Sequence, residues 1–252
     1  MPALRIIPCL DVKDGRVVKG VNFKSIRDSG DPVDLASTYY SQGADEITLL
    51  DITATLEGRL AILETIEQCA EQVFVPLTVG GGVRSTGDVE DFLARGADKV
   101  SIGSAAVEDP SLISRVADQF GSQVLVASLD VRKGNTPSGY EITKYGGTQA
   151  TGVDALEWTE RVTGLGAGEL LINAMDADGT KMGFDLHLMK LVREATDLPI
   201  IASGGAGKLQ HFVEAGDGVS DALLAASVFH EGTLTVGEIK SALSEIGAEV
   251  RQ

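Results

Sequence analysis

The sequence predicts a single (β/α)8 barrel over residues 1–252, assembled from two copies of one half-barrel. Three observations lead there. The length of 252 residues is close to the roughly 250 typical of one closed eight-stranded barrel. Eight short apolar runs alternate with amphipathic stretches from end to end. A repeat then maps the first half of the chain onto the second.

The apolar runs cover residues 6–10, 47–52, 73–79, 99–102, 124–129, 170–172, 199–202 and 222–225. Near-continuous apolar strands of this kind belong to a parallel sheet buried on both faces. Between them, residues 60–69, 89–94, 112–120, 158–165, 188–192 and 239–246 carry apolar side chains at helical spacing. Glycines cluster after the strands, where tight strand-to-helix turns need them. No low-complexity segment or proline-rich linker divides the chain, so one domain is expected.

The repeat has one dominant register. PLTVGGG at 76–82 aligns with PIIASGG at 199–205, an offset of 123 that also carries Asp98 onto Asp221, Ser104 onto Ser227 and Glu46 onto Glu169. ASLD at 127–130 echoes PCLD at 8–11 at an offset of 119. Asp11 thus ends the first barrel strand and Asp130 the fifth, on opposite sides of an eight-membered ring. Active sites of such barrels lie at the C-terminal ends of the strands. Two opposed carboxylates there are too far apart to share a proton and suit a substrate that needs an acid at one place and a base at another.

Small residues follow four strands. Gly82 closes a triple glycine after the third, Gly103 and Ser104 follow the fourth, Gly205 ends Ser-Gly-Gly after the seventh, and Ala226 and Ser227 follow the eighth. Such turns expose backbone N–H groups to an anion, and the last two strands form the usual phosphate site of the fold. Its copy on the third and fourth strands implies a ligand with phosphates at both ends. Backbone donors also reconcile an anionic ligand with a net charge of −16. That charge argues against sequence-independent nucleic-acid binding, which relies on clustered Lys and Arg.

Residues 12–32 read as a long loop after the first strand, expected to act as a lid in which Lys13, Arg16 and Lys19 bring positive charge over the site. Lys19 is the leading candidate for a substrate contact. At the opposite end of the barrel, side-chain alternation turns Arg5, Glu46, Lys99 and Glu169 inward. Buried charges must pair. Two readings remain open: a gate at the base of a passage lined by Thr48, Thr78, Ser101 and Ser128, or a solvated salt-bridge cluster on the lower rim.

His187, His211 and His230 fall on or beside helices and are expected to be helix-face or capping residues. No His, Cys and carboxylate set has metal-ligand spacing, so neither a metal nor another cofactor is expected. Two cysteines, Cys9 and Cys69, are too few for a disulfide framework. No apolar run approaches the ~18 residues of a membrane span. The first residues pass directly into a strand pattern without the layout of a secretory leader. A cytoplasmic protein is expected.

The segments RIIPCLDV at 5–12, GRVVKG at 15–20, GADKVSI at 96–102, DGT at 178–180 and ASGGAGK at 202–208 closely resemble the cyclase subunits of imidazole glycerol phosphate synthase. The resemblance runs from about Leu4 to Arg251. It implies a lyase of histidine biosynthesis that acts on the bis-phosphate ribulosyl aminoimidazole carboxamide nucleotide PRFAR. Ammonia adds, an imidazole ring closes, and imidazole glycerol phosphate and the ribotide AICAR leave. It further implies Asp11 and Asp130 as the acid–base pair, Asp130 acting first as base. Gly82, Gly103 and Ser104 would hold one phosphate; Asp178, Gly179, Gly205, Ala226 and Ser227 would line the other. Arg5, Glu46, Lys99 and Glu169 would form an ammonia gate above a docked glutaminase subunit touching Asp98. Two departures stand out: the family usually carries Asn at the position of Gly103, and it generally continues its helix through residues 214–220. The related ribotide isomerase of the same pathway and a non-catalytic sugar-phosphate-binding barrel are the alternatives.

Overall fold

A computed structural model describes residues 3–21, 24–54, 63–216 and 218–251, with the side chains of 19–27 outside that description. Twelve strands lie along the described chain: β1 Arg5–Lys13, β2 Arg16–Val21, β3 Lys24–Gly30, β4 Ile47–Asp51, β5 Leu77–Gly80, β6 Lys99–Ile102, β7 Leu125–Lys133, β8 Tyr140–Lys144, β9 Gln149–Asp154, β10 Glu169–Ala174, β11 Ile200–Ser203 and β12 Ala222–Ala225. Eight of them close a parallel ring in the order β1, β4, β5, β6, β7, β10, β11, β12, with β12 pairing back onto β1 and β7 pairing with β10. These eight are the apolar runs read from the sequence, and the architecture is a (β/α)8 barrel.

Helices follow the ring strands: α1 Pro32–Ser41, α2 Leu63–Gln72, α3 Thr86–Ala94, α4 Ser104–Glu108, α5 Ser111–Phe120, α6 Ala155–Gly164, α7 Leu186–Ala195, α8 Leu209–Ala215, α9 Ser227–His230 and α10 Val236–Glu245. Their starts follow local chemistry. Asp31 caps α1 by accepting from Val33 N and Asp34 N, with Pro32 preset at the first helical position. Ser85 with Asp88 and Thr235 with Glu238 form capping boxes on α3 and α10. The main core, including Ile6, Leu10, Ile47, Phe92 and Phe212, packs between strands and helices. No helix among the described residues is long and apolar enough to cross a membrane.

The repeat is visible in identical contacts. Asp98 Oδ2 accepts from Leu77 N at 2.8 Å while Asp98 N donates to Leu77 O at 2.9 Å. Asp221, its mate at an offset of 123, makes the same two bonds to Ile200 at 2.8 and 2.9 Å. In each half a carboxylate staples the start of one strand to the start of the next. Gly81 and Gly204 are matched too, at φ 120° and 96°, and a Cβ would come within 2.6 Å of Asp51 O and 2.8 Å of Ala174 O. Only glycine suits such left-handed turns pressed against a carbonyl.

Several expectations are corrected. Residues 12–32 are not an irregular loop: β1 runs on to Lys13, turns at Asp14 and Gly15 (φ 50° and 74°), and returns as β2, which pairs with β3. A second ribbon, β8 and β9, rises from β7 in the other half. Arg16 does not reach over the barrel mouth; it pairs with Asp28 across the first ribbon at 3.0 and 3.1 Å. Residues 73–76 precede β5, because Pro76 has no N–H for a central strand. The expected helix at 60–69 is present as α2 from Leu63 on, and its residues 60–62 lie outside the described residues. In line with the departure read at 214–220, the helix α8 stops at Ala215 with Gly216 as its cap.

Candidate functional site

Above the strand ends two adjoining cavities open. One is bordered by Cys9, Asp11, Asp130, Asn173, Asp178 and Gly179, together with Ser203–Ala206 and Ala225–Ser227. The other is bordered by Lys13, Asp51, Gly80, Gly81, Ser101, Gly103, Ser104, Asp130, Tyr145 and Asn173. Asp130 and Asn173 line both. Asp11 and Asp130 therefore share one cavity with the second small-residue cradle, and Asp130 also borders the path to the first. A third recess, between Gly82, Arg84, Gly103, Ser104, Glu108 and Tyr145, completes that first cradle.

The two carboxylates have different neighbours because the repeat is imperfect. Strand register sets Asp11 beside Leu50 and Asp130 beside Asn173. Asn173 Nδ2 donates to Asp130 Oδ1 at 3.0 Å, whereas Cys9 Sγ approaches Asp11 Oδ1 at 3.5 Å. Burial pushes the Asp130 carboxyl above its ordinary value, and the nearby Asp178 adds to this; bonds from Asn173 and the Gly146 N–H oppose it. A carboxyl raised in this way, in a cleft, has the properties of a proton-transfer group.

Of the other candidates, Asp178, Gly179, Gly205, Ala226 and Ser227 are brought together around the cavity that holds Asp11. Gly82, Gly103 and Ser104 are brought together around the first cradle. The Lys19 side chain lies outside the described residues. Sequence reading missed Asn173, Asp51 and Tyr145. Asp51 Oδ1 accepts from Thr53 N, Thr53 Oγ1 and Ala54 N, folding the chain after β4 at the cavity edge.

At the other end of the barrel the four charged residues meet. Glu46 Oε2 takes Arg5 Nη1 and Lys99 Nζ, each at 2.9 Å. Glu169 takes Lys99 Nζ at 2.8 Å and the second Arg5 nitrogen. The result is a closed ring of alternating sign in which Glu46 is 1 % exposed. Thr78 Oγ1 donates to the free oxygen of Glu46 at 2.5 Å. Above the ring the barrel lining divides. Thr48, Thr78, Ser101 and Ser128 lie on the neighbouring strands β4 to β7, while Ile7, Cys9, Leu171, Ile201 and Leu224 on β1 and β10 to β12 form an apolar cluster that Val126 of β7 and Leu50 of β4 extend onto the hydroxyl side. Thr48 Oγ1 is buried with no hydrogen-bond partner among the described residues. Asp98 lies on the exposed lower side, with one carboxylate oxygen committed to Leu77 N.

The histidines stay away from the cavities. His211 Nδ1 accepts from Gly207 N at 3.1 Å ahead of α8, His230 Nδ1 meets Tyr39 Oη at 2.6 Å, and His187 packs beside the Tyr140 ring. Among the described residues no group of three or more His, Cys, Asp or Glu could hold a metal ion.

With this geometry in hand, comparison with known proteins is specific. The family described as Histidine biosynthesis protein matches residues 5–235. The chain is 57 % identical over 253 residues to imidazole glycerol phosphate synthase subunit HisF of Thermobifida fusca, covering 99 % of each. It is 55 % identical to the HisF subunit of Bifidobacterium adolescentis, again over 99 % of both chains. It is also 55 % identical to that of Mycobacterium tuberculosis, covering 99 % of this chain and 95 % of the relative.

Proposed function

The chain belongs to the histidine biosynthesis family, as a cyclase subunit of imidazole glycerol phosphate synthase, and from that premise we propose how its own residues carry out the ring closure. The observation that carries the proposal is the shared position of Asp130, which borders both the cavity holding Asp11 and the cavity leading to the first cradle. PRFAR spans the barrel mouth with one phosphate against Gly82, Gly103 and Ser104. The other phosphate rests against Gly179, Gly205, Ala226 and Ser227, with Asp178 beside them. Backbone N–H groups of these turns supply the donors. Lys13, which borders the central cavity, adds positive charge between the cradles, and Lys19 is a further contact.

Asp130, raised by its surroundings, takes a proton from the nitrogen as ammonia adds to the substrate carbonyl. The carbonyl oxygen leaves as water, the added nitrogen closes the ring on the carbon that bears the departing group, and Asp11 protonates the nitrogen that departs with AICAR as that bond breaks. Neither residue can do both, because they stand on opposite walls of the ring. Asn173 holds one oxygen of Asp130 in place and leaves the other for the substrate. No metal or organic cofactor takes part.

Ammonia comes from a glutaminase subunit seated on the lower face in the reducing cytoplasm, with Asp98 at that contact. The ring of Arg5, Glu46, Lys99 and Glu169 is the gate, and the hydroxyl-lined side of the barrel is the route. The support for this reading is the charged ring at the barrel base together with the Thr48 hydroxyl above it, buried without a partner among the described residues, since such a hydroxyl costs stability that packing alone does not require. Incubating the purified chain with PRFAR and an ammonium salt is expected to release imidazole glycerol phosphate and AICAR, and adding the glutaminase to let glutamine replace the salt. Isomerisation without ammonia, or phosphate binding without turnover, would point to the isomerase or to a non-catalytic barrel.

Gly103 gives a second test. Its φ of −114° is not left-handed, and a Cβ would meet nothing closer than Ser128 O at 3.4 Å. Its repeat mate Ala226 already carries a Cβ at φ −123° and ψ −67°, the conformation toward which the ψ of −98° at residue 103 has to relax. Gly103→Asn therefore fits, and one added hydrogen bond of ~0.5–1.5 kcal/mol should lower KM for PRFAR by about 2- to 10-fold with kcat little changed. A KM that stays level or rises in steady-state kinetics would remove Gly103 from the phosphate site.

A further inference from the structure

Tyr145 holds a left-handed backbone, with φ of 54°, and the two glycines after it follow at 62° and 82°. A residue with a side chain stays in that conformation only when its surroundings enforce it. Here the restraints come from both ends of α4. Tyr145 N donates to Ser104 Oγ at 2.8 Å, and the Tyr145 phenol donates to the Glu108 carboxylate. Ser104 and Glu108 are the first and last residues of that five-residue helix, so a single tyrosine lies along it as a strap. Lys144 reinforces the outer end, its Nζ 3.0 Å from the same Glu108 oxygen and 5.1 Å from the Tyr145 ring centre. Together the phenol and the ammonium hold Glu108 below the usual carboxylate range.

The next residue reaches the chemistry. Gly146 and Asp130 line the same cavity, and the Gly146 N–H faces the carboxylate and favours its charged form. The root of the ribbon is fixed on the same residue, because Asp130 pairs with Thr143 across β7 and β8, and Thr143 Oγ1 donates to Asp130 O at 2.9 Å. One side of the strap thus lines the first cradle, and the other holds the acid–base group.

We propose that Tyr145 is a positioning residue that ties α4 of the first cradle to the Asp130 carboxylate through the Gly146 N–H. This rests on the reading of Asp130 and the cradle given above. Loss of the strap lets the Gly146 N–H move away from the carboxylate whose ionised form it favours, so the Asp130 carboxyl titrates higher. The charged groups around Asp130 from the other elements are Asp11 and Lys13 on β1, Asp51 ending β4 and Asp178 after β10. All of them stay in place when the phenol is removed.

The test is Tyr145→Phe, which deletes only the bond to Glu108. Carboxyl carbon NMR on the full chain, with Asp130→Asn identifying the signal, should show the Asp130 titration rising by roughly half a pH unit or more. The acid limb of the kcat/KM profile should move the same way. Glu108→Ala, which frees both the phenol and Lys144, should shift it at least as far, and the double variant should go no further than Glu108→Ala alone. A titration in both single variants that overlays the unaltered protein overturns the inference. Failure of the unaltered protein to turn over PRFAR overturns the functional reading instead, and the NMR titration still decides whether the strap exists.

Discussion

Replacing Asp130 with asparagine is expected to cut ammonia-dependent turnover by about 10²–10⁴-fold and, at neutral pH, to raise the melting temperature. The first effect follows from loss of the base. The second follows from burial, which raises the Asp130 carboxyl above its ordinary value of 3.8 in the folded chain. A carboxyl shifted upward stabilises the fold relatively at low pH and loses that advantage as pH rises through the folded value. Asparagine has no charge to bury and keeps an oxygen for the Asn173 amide. The gain in melting temperature should therefore be small below pH 4, grow as pH rises, and level off once Asp130 is fully ionised. Calorimetry across pH 4–8 together with PRFAR assays checks both halves. A variant that loses activity but melts lower at every pH would mean that Asp130 is a structural residue.

The second large effect is expected at the charged ring. Glu46→Ala removes the partner shared by Arg5, Lys99 and Thr78. Taking one member from a buried pair leaves an uncompensated charge, which costs about 3–5 kcal/mol, readable as a lower urea midpoint. If the ring is a gate, the same variant should still use ammonium salt supplied from above. With the glutaminase attached, it should consume more than one glutamine per product. Glutamine use that stays matched to product formation would leave the ring with a structural role only. The same four residues would then be held by packing and charge balance alone.

Much of the barrel was legible because several of its strands, above all β10 to β12, are apolar on both faces. Residues 170–172, 200–202 and 222–225 have no polar alternation to confuse with a surface strand. The ribbons were not, because β8 reads Tyr-Glu-Ile-Thr-Lys and β2 reads Arg-Val-Val-Lys-Gly-Val, each with charged residues inside the strand. Yet Asp14-Gly15 was a usable signal, since that pair supplies the two left-handed residues of a two-residue hairpin turn. Asp31-Pro32 likewise announced α1 through its cap. The short helices α4 and α9 carry too few residues for any periodicity. Asp11 and Asp130 were found through the repeat, and Asn173 was missed for the same reason: its mate at an offset of 123 is Leu50. Its place beside Asp130 depends on strand register, which spacing along the chain does not reveal.

The ring at the barrel base contains two cations and two anions, each already engaged by neighbours of opposite sign. Such an assembly offers no surplus attraction to a solute of either polarity. An ammonium ion entering from below would surrender its hydration and find every carboxylate occupied, whereas its uncharged conjugate base has far less water to lose. The barrel floor would then discriminate by protonation state rather than by size, acting as a sieve for neutrality.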